Sequence, residues 1–238
     1  YNWSFTTSPL VDGDHSFTAV ARDLAGNSDQ TDSFNVTVDT TAPSAPVVVL
    51  EQDTGFSPSD WVSTSGRVNV SVSAEAGATW QYSTDAGGHW NTGSESSFDL
   101  DEDGYAAGSI LVREIDAAGN VSPVWYNQTQ ITIDDTDPTS TGITVTGSTV
   151  TVDLDSDVVS WQYSVDGGDS WTIGTHINNA GTEGYFSLPD GTYNSGDIKV
   201  GLYDLAGNTS PVSLDEITVV YTQVDAPDAS YVDSGAED

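Results

Sequence analysis

Short runs in which apolar and polar residues alternate recur along this chain. They include residues 16–21, 110–115 and 198–203, and an Asp follows each run within two residues. Because successive side chains of a β-strand point to opposite faces of the sheet, a period of two residues predicts half-buried strands. No apolar period of about 3.6 residues persists anywhere. The pattern therefore predicts an all-β fold.

The three runs lead into copies of one sequence, Asp-x-Ala-Gly-Asn, at residues 23–27, 116–120 and 204–208. The copies lie 93 and 88 residues apart, and a period near 90 residues is typical of tandem β-sandwiches. Since Gly adopts a positive φ easily and Asn tolerates one, each copy predicts a tight loop between two strands. Two roles stay open for the loop Asp and Asn: bonding their own backbone, or offering oxygens to a metal ion.

The repeat predicts four segments. Residues 1–39 form the C-terminal part of an Ig-like domain without its front strands, residues 40–135 and 136–221 form complete Ig-like, Greek-key sandwiches, and residues 222–238 form a linker or disordered tail. Prolines in the stretches 39–46 and 134–138 disfavour helix and mark short linkers. We expect residues 1–39 to be completed by another stretch of polypeptide or to be less ordered than the sandwiches.

Two segments look like the tyrosine corner of Ig-type sandwiches, in which a Tyr hydroxyl bonds to upstream backbone. Leu100 precedes Tyr105 by five residues, and Leu188 precedes Tyr193 by the same interval. His15 takes the Tyr position in the first segment, which weakens the match there.

The chain is strongly acidic, with a formal charge of −33 over 238 residues. Such a surface repels nucleic acid and anionic membranes, so both are excluded as direct partners. Folded cores are nevertheless expected, because 36% of the residues are apolar and 7 Trp and 10 Tyr are present. There is no Cys, so rigidity outside the cell would need another source, such as calcium. Bound divalent cations and adaptation to high salt both explain the charge.

The segment 10–13 leading to 23–27, and the linker 39–43, resemble the tandem Ig-like domains of large secreted bacterial adhesins of the repeats-in-toxin (RTX) type. The resemblance implies calcium dependence, type I secretion and a location on the bacterial surface. It implies a non-enzymatic extender that presents ligand-binding domains, with neighbouring adhesin domains and host or biofilm ligands as partners. The alternative is a segment that is itself a calcium-dependent module binding peptide or glycan.

The same resemblance places calcium where linkers meet loops. The expected ligands at the first junction are Asp39, Glu75, Asp116 and Asn120. At the second junction they are Asp134, Asp135, Asp137, Asp153, Asp155, Asp204 and Asn208, approached from the preceding sandwich by Asp101 and Asp103. Asp23 and Asn27 would face a domain outside this chain. The competing interpretation is that these are solvated acidic loops.

Residues 83–90 and 164–171 fit the sequence Ser-x-Asp-x-Gly-x-x-Trp, the Asp-box that recurs in sialidases as a hairpin brace outside the catalytic centre. No nucleophile or base is singled out near the scattered His residues, so we expect no catalytic site. Trp90 and Trp171 would stack against a carbohydrate or peptide if they were exposed. The competing interpretation, which we favour, is that they form the cores of their hairpins.

Overall fold

The computed structural model describes residues 3–73, 75–176, 182–213 and 219–221. Every regular element in these ranges is a β-strand. The chain divides into two compact units, the first comprising Tyr1–Asp53 with Pro58–Ile133 and the second comprising Thr54–Ser57 with Asp134–Asp238. The all-β prediction is confirmed.

The first segment of unit 1 contains two separate two-stranded ladders. Its strands are β1 (Gly13–Phe17), β2 (Val20–Arg22), β3 (Ser28–Gln30) and β4 (Phe34–Val38). β1 pairs with β4 and β2 with β3, both antiparallel. Large apolar side chains line an open hollow between them, including Trp3, Phe5 and Phe34, which are 73%, 77% and 68% exposed. These ladders leave one apolar face uncovered among the described residues.

The rest of unit 1 is the middle sandwich. Its strands are β5 (Val47–Leu50), β6 (Val62–Ser63), β7 (Arg67–Ser71), β8 (Thr79–Ser83), β9 (Asn91–Thr92), β10 (Ser97–Asp99), β11 (Asp103–Tyr105), β12 (Leu111–Ile115), β13 (Trp125–Tyr126) and β14 (Ile131–Ile133). They form sheets in the orders β10-β7-β5, β11-β14-β6 and β13-β12-β8-β9. Their inward residues make one core, which includes Val70, Trp80, Phe98, Val112 and Ile131.

Unit 2 contains the third copy of the repeat. Its strands are β15 (Ser140–Thr146), β16 (Thr149–Leu154), β17 (Ser160–Ser164), β18 (Thr172–Ile173), β19 (Thr175–His176), β20 (Glu183–Ser187), β21 (Gly191–Tyr193), β22 (Lys199–Tyr203), β23 (Thr209–Ser213) and β24 (Val219–Tyr221). The sheets run β15-β16-β20-β19, β18-β17-β22-β23 and β21-β24. The core includes Val152, Trp161, Phe186, Val200 and Leu202. The predicted tail at 222–238 lies outside the described residues.

The tyrosine corner is present in both complete sandwiches. The Tyr105 hydroxyl donates to the Asp101 carbonyl at 3.1 Å, and the Tyr193 hydroxyl donates to the Pro189 carbonyl at 2.7 Å. In the first segment, His15 Nε2 lies 2.7 Å from the Val11 carbonyl, again four residues upstream. The imidazole thus makes the contact that the phenol makes elsewhere, and the substitution of His for Tyr keeps the corner.

A buried Glu distinguishes the middle sandwich from the third. Glu114 is 0% exposed, and its carboxylate accepts bonds from the Ser73 amide at 2.9 Å and the Ser73 hydroxyl at 2.6 Å. The corresponding strand of the third sandwich carries Leu202, which is also 0% exposed. A carboxylate is tolerated inside because hydrogen bonds compensate for its lost hydration.

The core Trp of each sandwich lies flat against a glycine. A Cβ atom on Gly93 would overlap the Trp80 ring, and one on Gly174 would overlap the Trp161 ring. Gly174 also donates its amide to the Trp161 carbonyl at 2.9 Å, so the backbone cannot withdraw without breaking that bond. The glycine is therefore required by close packing.

We expect Gly174→Ala to destabilise unit 2 by about 1–3 kcal/mol, the usual cost of overpacking a core. Chemical denaturation of the whole chain measures the change. Gly142→Ala is the matched control, because its Cβ would meet only Asp153 Oδ2, at an ordinary 3.6 Å. Equal stability of the two variants would show that the Trp161 ring can shift.

Candidate functional site: the Asp-x-Ala-Gly-Asn loops

The Asp carboxylate folds each loop around itself. In the middle sandwich Asp116 Oδ1 accepts the backbone amides of Ala118, Gly119 and Asn120 at 2.9, 2.7 and 2.8 Å. Gly119 has a φ of 98°, the left-handed conformation that the sequence predicts. One carboxylate oxygen thus replaces the missing backbone partners of a tight turn.

The loop Asn reaches from this turn to the linker. Asn120 Nδ2 donates to Asp116 Oδ2 at 2.8 Å and to the backbone carbonyl of Asp39 at 3.1 Å. Asp39 follows the last strand of the first segment, so the bond fixes the point where the chain enters the middle sandwich. Its own Oδ1 accepts the Thr41 amide at 3.0 Å.

The third sandwich repeats this geometry. Asp204 Oδ1 accepts the amides of Gly207 and Asn208 at 2.8 and 2.9 Å. Asn208 Nδ2 donates to Asp204 Oδ2 at 2.7 Å and to the Asp134 carbonyl at 2.8 Å. Asp134 occupies in this linker the place of Asp39 in the first. We call this arrangement, an Asp-folded turn whose Asn holds the linker carbonyl, the amide clasp.

The first segment contains the same Asp-folded turn, formed by Asp23 and Asn27. Asp23 Oδ1 accepts the Asn27 amide at 2.8 Å, and Oδ2 accepts Asn27 Nδ2 at 2.7 Å. The hydrogen bond from the Asn27 side chain, followed by that from its backbone amide, lowers the pKa of Asp23. Burial acts to raise the pKa of Asp116, but the bonds from Asn120, Gly119 and Ala118 outweigh it and hold the value below the usual range. Both carboxylates therefore stay charged at neutral pH.

The first linker is also held from its other side. Asp12 Oδ1 accepts the Thr40 amide at 3.1 Å and the Thr40 hydroxyl at 2.8 Å. Asp12 Oδ2 accepts the Thr41 hydroxyl at 2.7 Å. These bonds, led by the one from Thr41, lower the pKa of Asp12. Sequence reasoning missed this role of Asp12, although the residue lies within the motif 10–13.

The other predicted ligands are spread out. Glu75 is exposed, as are Asp101, Asp103, Asp135, Asp137 and Asp155. Asp153 lies within β16, opposite Gly142, and Asp155 Oδ2 accepts the Thr139 hydroxyl at 2.9 Å. Asp103 lies at the start of β11, opposite Ile133.

One acidic residue near the second linker was not singled out from the sequence. Asp157 is an exposed residue, but partial loss of hydration raises the pKa of its carboxyl, and the negative charges of Asp155, Asp204 and Asp134 raise it further. Three neighbouring carboxylates of unit 2 therefore act on the charge of Asp157. The spacing Asp-Ser-Asp directly after β16 was the available signal.

The fit to a calcium ion differs between the clasps and the exposed acids. Ca²⁺ takes about 6–8 oxygen ligands, but at each clasp an amide nitrogen, a hydrogen-bond donor, faces the carboxylate and the linker carbonyl. In the part of the chain that the structure describes, no three Asp, Glu or His side chains form a group placed to hold a metal ion. The clasps as arranged do not fit a cation. The calcium prediction remains a prediction, with the exposed acids of the linkers as its candidates.

The Asp-box hairpins are braced by their acidic residue. Asp85 Oδ1 accepts the Ser83 hydroxyl at 2.7 Å and the His89 amide at 2.8 Å, and Oδ2 lies 2.5 Å from His89 Nδ1. Asp166 is held in the same way, by the Ser164 hydroxyl at 2.6 Å and the Ser170 amide at 2.9 Å. The carboxylate therefore completes a turn.

The hairpin Trp residues lie over the neighbouring strand. The Trp90 ring lies 3.9 Å from the Arg113 guanidinium carbon, a cation–π contact. Arg113 also donates to Gln81 Oε1 through Nε at 3.0 Å and Nη2 at 2.7 Å. Trp171 remains 39% exposed. The rings cover strand surface, and the core of each sandwich is filled by a different Trp.

We expect Asp85→Ala to lower the melting temperature of unit 1 because the turn amides lose their acceptor. The hydrogen bonds from the His89 backbone, the His89 side chain and Ser83 depress the pKa of Asp85. The stabilisation should therefore be complete above the pKa of an unfolded Asp, about 4, and be lost as the pH falls below it.

Thermal melts of the wild type and Asp85→Ala between pH 3 and 7 test this. Asp169→Ala, at an exposed hairpin position in unit 2, is the control. Hydrolysis of a sialoside that Asp85→Ala abolishes without unfolding the protein would contradict the bracing role.

Comparison with known proteins gives one family match. Residues 1–40 match the family described as a bacterial Ig-like domain. No curated protein matches the chain in sequence. With this match and the strand arrangement above, the chain is a tandem array of Ig-like β-sandwiches.

Solved structures resemble the chain only distantly. The FN1–FN3 domains of chicken CNTN1 share 11% identity with a TM-score of 0.32, covering 85% of this chain and 78% of that one. A structure titled for host cell surface retention of a 1.5-MDa bacterial ice-binding adhesin shares 16% identity with a TM-score of 0.27, covering 82% and 70%. A tetra-tandem repeat in the extending region of a large adhesion protein shares 20% identity with a TM-score of 0.27, covering 89% and 57%.

Proposed function

We propose that this chain is a non-enzymatic extender segment of a secreted bacterial cell-surface adhesin, which presents ligand-binding domains at a distance from the cell. The observation that carries the proposal is the repeated clasp: Asn120 holds the first linker and Asn208 the second in the same way. An extender made of tandem domains needs a fixed connection between each linker and the domain that follows it. The same Asn-to-linker hydrogen bond in two copies provides such a connection.

Three further features support an extracellular, bacterial setting. Residues 1–40 match a bacterial Ig-like family, the surface is highly acidic, and the linker 39–43 resembles those of RTX adhesins. Among the described residues, no helix has the length and apolar character of a membrane span. Hydrogen bonds within the turns strongly lower the pKa values of the Asp-box carboxylates, which are committed to bracing hairpins. This favours a scaffold over an enzyme.

We further propose that Ca²⁺ binds among the acids around the second linker and stiffens it. The support is electrostatic: Asp155, Asp204 and Asp134 already oppose the charge of Asp157, and Asp135 and Asp137 add exposed charge nearby in sequence. A divalent cation bound by the exposed Asp155 and Asp157 would offset this local negative charge, while Asp204 stays in its clasp. Fewer exposed acids lie near the first linker, where the expected ligand Glu75 belongs to the loop between β7 and β8, so we expect calcium to bind more weakly there.

Small-angle scattering and thermal melts of the whole chain, in EGTA and then in millimolar calcium, test this proposal. Extracellular calcium modules bind at about 10⁻⁴–10⁻³ M. We expect calcium, at concentrations in that range, to narrow the distribution of molecular dimensions that the scattering measures. It should raise the melting temperature of unit 2, since a hundredfold excess over Kd stabilises by about 2.7 kcal/mol.

The double variant Asp155→Asn/Asp157→Asn should lose most of this response, whereas Asp169→Asn on the distant hairpin should keep it. Identical scattering and melting with and without calcium would contradict the calcium proposal and favour a surface adapted to high salt. Binding of glycans or peptides by the chain on an array would instead favour a ligand-binding module.

A further inference from the structure

We infer that the Asp-x-Ala-Gly-Asn loops of the middle and third sandwiches hold their linkers without a metal ion, because the Asn amide group stands where a cation would otherwise join loop and linker. The inference concerns the geometry of the amide clasp and does not depend on the proposed function.

The clasp brings together two oxygens that would otherwise repel each other. In the middle sandwich these are Asp116 Oδ2 and the backbone carbonyl of Asp39. The Asn120 Nδ2 group lies 2.8 Å from the first and 3.1 Å from the second. Its two hydrogens supply the positive charge between the oxygens, which is the role of a bridging cation in a metal site.

The same geometry occurs at a linker of different sequence. Asn208 Nδ2 lies 2.7 Å from Asp204 Oδ2 and 2.8 Å from the Asp134 carbonyl. The two linkers read Asp-Thr-Thr-Ala-Pro at 39–43 and Asp-Asp-Thr-Asp-Pro at 134–138. Since only the backbone carbonyl of the first linker residue is used, the clasp tolerates these differences.

The orientation of the amide follows from its partners. A reversed Asn120 would point its oxygen at the Asp116 carboxylate and the Asp39 carbonyl, both acceptors, and would lose two hydrogen bonds. Asp116 Oδ1 is saturated by three backbone amides. The carboxylate is therefore satisfied by hydrogen bonds alone, which keeps it charged without a metal.

Hydrogen bonds from the opposite side complete the hold on the first linker. Asp12 accepts the Thr40 amide and the hydroxyls of Thr40 and Thr41 at 2.7–3.1 Å. The linker within unit 1 is thus bound by the Asp12 carboxylate at Thr40 and Thr41 and by the Asn120 amide at Asp39.

The decisive variant is Asn120→Asp, which replaces the donor with a third acceptor oxygen. Hydrogen exchange of the Thr40 and Thr41 amides, followed by NMR in the whole chain, reports the state of the linker. In the wild type both amides should exchange slowly in EGTA as well as in calcium. In Asn120→Asp they should exchange roughly 2- to 10-fold faster in EGTA, the effect of losing one net hydrogen bond. Millimolar calcium should restore the slow rate by taking the place of the amide.

Two controls define the result. Asn120→Ala should exchange fast in both solutions, because it offers calcium no ligand, and Asn208→Asp should leave Thr40 and Thr41 unchanged. The Val112 amide, in the buried strand β12, should exchange slowly throughout and so show that the sandwich remains folded. The inference is overturned if the wild-type amides are slow only in calcium, if Asn120→Asp exchanges as slowly as the wild type in EGTA, or if calcium fails to slow Asn120→Asp.

Discussion

A single carboxylate in each loop sets the joint between a sandwich and its linker. Asp116 gathers three backbone amides on one oxygen, which folds the turn and places Asn120 beside the linker. The side-chain amide of Asn120 then donates one hydrogen bond to the second oxygen of Asp116 and one to the Asp39 carbonyl. If the Asp116 carboxylate were lost, the turn would open and the Asn120 amide would no longer be held beside the Asp39 carbonyl. The path of the chain into the sandwich therefore depends on this residue.

This arrangement changes the meaning of the acidic composition. The Asp and Asn of a repeated loop, in a chain of charge −33, suggest metal ligands because both residue types offer oxygens to calcium. At the loops, however, the charged carboxylates are satisfied by hydrogen bonds from amides of the protein itself. Near the second linker, the negative charges of Asp155, Asp204 and Asp134 act on Asp157 and raise its pKa. The proposed response to calcium therefore belongs to the exposed Asp155 and Asp157, whereas the Asn amides hold the clasps.

Much of the fold was predictable because it depends on local periodicity. Alternation located the strands, the repeat interval located the sandwiches, and the Gly of each loop has the positive φ that its turn demands. Contacts between distant segments were not predictable. Nothing in the sequence indicates that Gly174 lies against Trp161, that Ser73 compensates Glu114, or that Asp12 binds the linker. The same limit applied to the loops. Only three-dimensional contacts show whether the Asp carboxylate is bound by amide hydrogen bonds or is free to bind a metal ion.

The central claim, that the clasp is closed by the Asn amide alone, is tested most directly on that amide. The side-chain NH₂ protons of Asn120 and Asn208 are observable by NMR, and the exposed Asn91 provides the reference. The account predicts that in EGTA both clasp amides exchange more slowly than Asn91 and show two well-separated proton signals, and that calcium leaves them unchanged. Clasp amides that exchange as fast as Asn91 in EGTA, and slow only when calcium is added, would contradict it.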